Sequence, residues 1–135
     1  MSTKKNKEVI LSFYDLYNQK KLDACYELLD PELILHGTTG NMTHDQLKQF
    51  DISVLGAFDG ICNLSNLVAE GDKVAFQVNA KHIHKGEFMG VAPTGKSYQM
   101  TNTYIVKIKN NKVVEWWGTT EIPLIMQQIG VVPKQ

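Results

Sequence analysis

Cysteine is scarce in this chain, with only Cys25 and Cys62 among 135 residues. The two are far apart and form no C-x-x-C arrangement. That excludes a disulfide scaffold, and both read as reduced, mostly buried thiols. An excess of either charge is also missing. Lysine and arginine total 14, as do aspartate and glutamate, so no global field recruits nucleic acid or an acidic surface. No apolar run approaches the roughly 20 residues that cross a bilayer, and the basic opening MSTKKNKEVI lacks the apolar segment of a signal peptide. Internal repeats, linkers and low-complexity tracts are absent as well. The expectation is one soluble, cytoplasmic domain over residues 1–135, with neither nucleic acid nor membrane as a partner.

What is present divides by period. In KEVILSFYDLYNQ, the residues Val9, Ile10, Phe13, Leu16 and Tyr17 recur at helical spacing. LDACYELLD predicts a second helix that stops at Pro31, and ELILH a short strand ending at His36. THDQ is a capping box, with Thr43 as N-cap and Gln46 reaching back. It opens a helix carrying Leu47, Phe50, Ile52, Val54, Leu55 and Phe58 until the DG at 59–60. From Ile61 the period becomes two. Strands on either side of EGD put Val74, Phe76, Val78, Ala80, His82 and His84 on one face. Two more strands flank Asn110-Asn111, a pair that tolerates the left-handed angles of a tight hairpin. Tyr98, Met100, Asn102, Tyr104, Val106 and Ile108 share a face there, and IPLIMQQIG closes as a short helix. Helices first, an antiparallel meander next and a helix last make the fold class α+β, with helices gathered on one face of a curved sheet.

The stretch GVAPTGKS, Gly90 to Ser97, fits the phosphate-loop pattern letter for letter. That chemistry requires a helix N-terminus after the lysine. SYQMTNTYIVKI alternates and is rich in Thr, Tyr, Val and Ile, so it is a strand. The match is an accident of spelling, and the segment reads as a long connection stiffened by Pro93.

Two segments carry a family resemblance. HKGEFMGVAPTGK, His84 through Lys96, is similar to H-x-G-E-F-x-G-x-x-P-T-G-[KR]. VVEWWGTTEIPLIMQQIG supplies Glu115, Trp117 and Glu121 in E-x-W-x-x-x-D, followed by a helix ending QQIG. VAEGDKVAF matches an E-G-D-x-V hairpin. Together these resemble the SnoaL-like polyketide cyclase family of the NTF2-like superfamily, over most of the chain. The resemblance implies a cone, in which the N-terminal helices pack on a strongly curved, mostly antiparallel sheet around a central pocket. It also implies homodimers through the outer sheet face. Trp116 and Trp117 point to opposite faces of one strand, and Ile105 adds apolar surface opposite Tyr104, so both faces call for cover.

The same resemblance puts Glu121 where characterised cyclases carry an aspartate acid–base. Those enzymes close a ring by intramolecular aldol condensation with no metal or cofactor, and none is expected here. Trp117, at i−4, would supply an apolar wall that raises the carboxylate pKa. Read alone, Glu121 precedes Pro123 and equally suits a helix start, where the dipole would lower its pKa. Its extra methylene also departs from the family pattern. Asn102 and Tyr104 are candidate polar tips in a substrate pocket, or partners within the core. Tyr14, His36, Phe58 and His84 complete the candidate pocket. His82 and His84 form H-x-H, with Glu87 one residue short of the cupin metal spacing, so no metal site is assigned. His44 reads as solvent-facing and Cys25 as core.

The function this supports is a cyclase-type protein acting on a small apolar carbonyl compound by cofactor-free, aldol-type acid/base chemistry. Two alternatives stand beside it. One is a noncatalytic small-molecule-binding domain, and the other an enzyme like a ketosteroid isomerase or an epoxide hydrolase on the same fold.

Overall fold

The computed structural model describes residues 2–37 and 40–131; of the final VVPKQ only Val131 falls within them. Helix α1 (Thr3–Asn18) starts at Ser2, whose hydroxyl accepts the Lys5 N–H. Val9, Ile10, Phe13, Tyr14 and Tyr17 are all buried on its inner face. Full burial of one such side chain contributes about 1.5–3 kcal/mol, so packing against the sheet, more than helix propensity, fixes α1 in place.

Helix α2 is only Leu22–Tyr26, and strand β1 runs Leu29–His36. The sequence pattern carries the helix on to Pro31, which is four residues too far. The reason is tertiary: Leu29, Leu33 and Leu35 are buried along the strand, and Leu29 pairs with Val113. Pro31 lies where the β1 register shifts between Leu29 and Ile34, so its missing N–H removes no ladder bond.

Strand β2 (Asn41–Thr43) leads into helix α3 (His44–Ala57). The capping box forms as the sequence predicts, with Gln46 N–H on Thr43 Oγ1 at 3.2 Å and Thr43 N–H on Gln46 Oε1 at 3.0 Å. Asp59-Gly60 does not break this helix. Strand β3 (Phe58–Glu70) has already begun, and Gly60 lies within it opposite His82. A Cβ at Gly60 would come 2.0 Å from the Lys81 carbonyl oxygen and 2.8 Å from the His82 ring. Glycine is required there by space.

Strands β4 (Lys73–His84), β5 (Ser97–Lys109) and β6 (Lys112–Trp117) complete a curled six-stranded sheet of order β2-β1-β6-β5-β4-β3. Only the β1–β6 pair is parallel. Both tight hairpins form where expected. Gly71 takes φ 58° in the first, and Asn110 and Asn111 take 52° and 61° in the second. The alternation predicted for β4 and β5 also holds. Val74, Phe76, Val78, Ala80, His82 and His84 are buried together, as are Tyr98, Met100, Tyr104, Val106 and Ile108. After Lys96 the chain enters β5 with no helix, so the phosphate-loop lettering has no phosphate-binding context.

Helix α4 (Ile122–Gln128) closes the fold. The Gln128 side chain pairs with both backbone groups of Gln99, at 2.7 and 2.9 Å, while Ile125 and Ile129 are fully buried. Among the described residues no helix is long and apolar enough to cross a membrane.

Candidate active site

The helices and the concave sheet face enclose a cavity of about 400 Å³, within the range of small-molecule sites. Helix α1 contributes Phe13, Tyr14 and Tyr17, and α3 contributes Leu47, Phe50, Asp51 and Val54. Cys62, Val78, Ala80 and His82 come from β3 and β4, while Tyr98, Met100, Asn102, Tyr104 and Trp116 come from β5 and β6. Leu35 of β1, Gly40 to Met42, Gly118 to Thr120 and Ile122 complete the lining among the described residues. The aromatic groups pack on one another, with Trp116 5.6 Å from Phe13 and 5.4 Å from Tyr104 between ring centres.

Asp51 is the one acidic residue lining this cavity among the described residues. The Tyr26 phenol donates a hydrogen bond to its carboxylate. Burial pushes the Asp51 pKa up to about 7, against the pull of Tyr26 and of Tyr17, whose hydroxyls favour the charged form. Burial and the nearby Asp51 charge both push Tyr26 far above the usual phenol range. A carboxyl group with a pKa near neutrality can take a proton and return it at the same pH, which suits acid–base catalysis. Cys62, also in the wall, is pushed up to about 12 by burial and stays a thiol.

Of the residues singled out from sequence, Tyr14, Asn102 and Tyr104 line the cavity. Tyr104 is within 3.4 Å of the Thr120 hydroxyl. Trp117 does not line it; Trp116 does. The β5–β6 register shifts between Lys107 and Ile108, so Ile105 faces Trp117 and Val106 faces Trp116. Simple alternation from the Asn110-Asn111 turn pairs Trp117 with Tyr104, and the bulge turns that tryptophan outward. There it stacks on His36, 5.2 Å away. His36 lies on the outer face with it, its Nε2 2.8 Å from Glu115 Oε2. Phe58 and His84 are fully buried and stacked on each other at 5.0 Å, with Phe58 edge-on to Phe88 and Tyr98. They support the Tyr98 wall from behind without lining the cavity.

Glu121 is exposed at the N-cap of α4 and makes no side-chain capping bond. Its carbonyl accepts from Leu124 and Ile125. Thr120 and Ile122 on either side line the cavity, and Glu121 itself does not.

The two inward histidines differ. His84 Nδ1 accepts the Thr94 N–H at 3.2 Å, holding the long connection onto the sheet. His82 lines the cavity instead, 3% exposed and stacked on Tyr98 at 5.3 Å, and its Nδ1 has no hydrogen-bond partner among the described residues. A buried polar atom left this way costs about 1–3 kcal/mol. Glu87 is exposed, and no group of three His, Cys, Asp or Glu side chains converges among the described residues.

Asp51 was legible in one respect only. Leu47, Asp51 and Val54 fall at i, i+4 and i+7, so the carboxylate lies on the apolar stripe of α3.

The family model for SnoaL-like polyketide cyclases matches residues 7–129. The chain belongs to that family. Solved structures carry the same architecture. AclR from Streptomyces galilaeus, provisionally assigned as a hydroxylase, aligns with a TM-score of 0.88 at 24% identity, over 98% of this chain and 100% of its own. IdmH from Streptomyces antibioticus, provisionally assigned as a polyketide cyclase, aligns at 0.79 with 26% identity, over 93% and 99%. A provisionally assigned SnoaL-like cyclase from Jannaschia sp. CCS1 gives 0.83 and 20%, over 97% and 95%. No curated protein matches the chain. This SnoaL-like chain therefore has the NTF2-like cone, with its cavity between helices and sheet.

Proposed function

We propose that this SnoaL-like protein acts on a small apolar carbonyl compound by acid–base chemistry in the cavity, with Asp51 as the group that moves the proton. One observation carries the reading: an otherwise largely apolar, aromatic cavity holds, among the described residues, a single carboxylate poised near neutrality. In a cyclase-type reaction, Asp51 takes a proton from carbon next to a carbonyl. The enolate carbon attacks a second carbonyl, one carbon–carbon bond forms, and the new alkoxide oxygen regains the proton from Asp51. Asn102 and Tyr104 are available to orient the ligand and donate to developing negative oxygen.

The test does not require the natural substrate. The apolar ketone 2-tetralone, incubated in deuterated buffer, reports proton abstraction as deuterium uptake followed by NMR. The wild-type protein is expected to accelerate uptake, and Asp51→Asn to lose that acceleration by about 100-fold or more. Glu121→Gln is expected to stay within about twofold, as befits an exposed rim residue. If Glu121→Gln abolishes exchange and Asp51→Asn spares it, the acid–base is the residue at the start of α4.

A further inference from the structure

Two buried imidazole nitrogens have no hydrogen-bond partner among the described residues, His84 Nε2 and His82 Nδ1, and of the two residues only His82 lines the cavity. It reaches the cavity from the sheet wall, whereas Asp51 comes from helix α3. Its Nδ1 has no partner among the described residues, although the residue is only 3% exposed. Its neighbour Tyr98 is equally buried, lines the same wall and stacks parallel to it, with 20° between the planes. The fold also makes room for this imidazole: Gly60, directly opposite in β3, leaves the space that any side chain would take from the His82 ring. A methionine or leucine at position 82 would fill such a wall without an unsatisfied atom. Burial also holds the imidazole below its usual pKa, so it stays neutral, with one nitrogen to donate and one to accept.

We propose that His82 and Tyr98 form a second polar subsite of the cavity, which receives a hydroxyl or carbonyl oxygen of the bound molecule. Resting on the reading of the cavity as a small-molecule site, this makes the ligand a compound oxygenated at two separate positions. One oxygen function lies near Asp51 and the other against the imidazole. His82 is then a positioning residue that selects doubly oxygenated rings over singly oxygenated ones.

The probes are 1- and 2-naphthol and the 1,5-, 2,6- and 2,7-dihydroxynaphthalenes, titrated by calorimetry into the full chain. At least one dihydroxy isomer is expected to bind about tenfold tighter than its monohydroxy parent, because it satisfies a buried polar group. His82→Leu should erase that gain, and Tyr98→Phe should reduce it. The wild-type protein gives a second reading, independent of whether variants fold. The ¹⁵N resonances of the His82 ring should move on adding the preferred diol and stay still on adding naphthol. No gain for any diol, a gain that survives His82→Leu, or unmoved ¹⁵N resonances overturns the subsite. Loss of tetralone exchange chemistry with the diol gain intact would fault the proton-transfer reading alone.

Discussion

The Tyr26 phenol donates its hydrogen to the Asp51 carboxylate, tying helix α2 to helix α3 behind the cavity wall. The bond favours the ionised carboxylate, while burial opposes it more strongly. Removing the phenol therefore raises the Asp51 pKa further and leaves less base at neutral pH. Hydrogen bonds to charged groups contribute about 1.5–3 kcal/mol, so Tyr26→Phe should slow proton exchange at pH 7 by about tenfold. The acidic limb of its pH–rate profile should shift upward, with the plateau rate recovered at higher pH. An unshifted limb would mean that Asp51 is not the titrating base.

The same carboxyl group should cost stability. In the unfolded chain Asp51 gives up its proton near the usual carboxylate pKa of 3.8; in the fold it holds the proton up to about pH 7. Between those limits the folded protein binds more protons than the unfolded one, so this group makes stability fall as pH rises. The loss is complete above pH 7 and amounts to at most about 4 kcal/mol. Asp51→Asn should therefore be more stable than wild type in urea at pH 8, with the difference shrinking toward zero at pH 4. A variant destabilised at pH 8 would show that the charged carboxylate is held favourably.

Much of this architecture was readable in advance, because the patterns that specify it are local. Period-two alternation, two turn signals and a capping box fixed strands, hairpins and the start of α3. The candidate site was less legible, and two residues explain why. Trp117 faces outward because of a bulge at Lys107 and Ile108, and a one-residue slip reverses every face beyond it. Nothing in KIKNNKVVEWW marks that bulge. Asp51 was hidden for the opposite reason. It sits on a helix stripe that reads as apolar, and only the partners brought by the fold, Tyr17 and Tyr26, reveal its surroundings. Pro31 misled in a third way, since a proline that suits a helix end suits a strand irregularity equally well.

The two tryptophans offer a direct contrast. Trp116 is 4% exposed and packed against Phe13, Phe76 and Tyr104. Truncating a buried tryptophan to alanine costs about 3–5 kcal/mol, so Trp116→Ala should fall sharply in denaturant midpoint and lose ligand binding. Trp117→Ala removes an outward ring stacked on His36 and should cost less than about 1.5 kcal/mol in the monomer. Equal losses in the two variants would contradict the register shift.

The outer face on which Trp117 lies carries an apolar stripe, and its pairing with a second copy of the chain is an expectation that sedimentation tests. Register places Val68 beside Ala75, Ala75 beside Ile105, Ile105 beside Trp117 and Trp117 beside His36. That row crosses five strands, and Val68 and Ile105 are 59% and 44% exposed within it. Beside it, Gln77 bonds to Asn66 and Thr103, and Asn79 to Ser65 and Thr101, giving the apolar stripe a polar border on β3, β4 and β5. A contiguous stripe with a polar rim suits burial against an identical surface, and twofold pairing closes without exposing a further edge. Sedimentation of the wild-type protein at micromolar concentration should give twice the monomer mass. Ile105→Lys puts two like charges near the centre of such a contact and should yield monomers, with the far-ultraviolet spectrum and ligand affinity preserved. A wild-type protein that sediments as a monomer, or a dimer that survives Ile105→Lys, would exclude this face as the interface. The His36–Glu115 pair at the end of the row adds a further readout. His36→Phe keeps an apolar ring beside Trp117 and should leave the dimer intact, where Ile105→Lys does not.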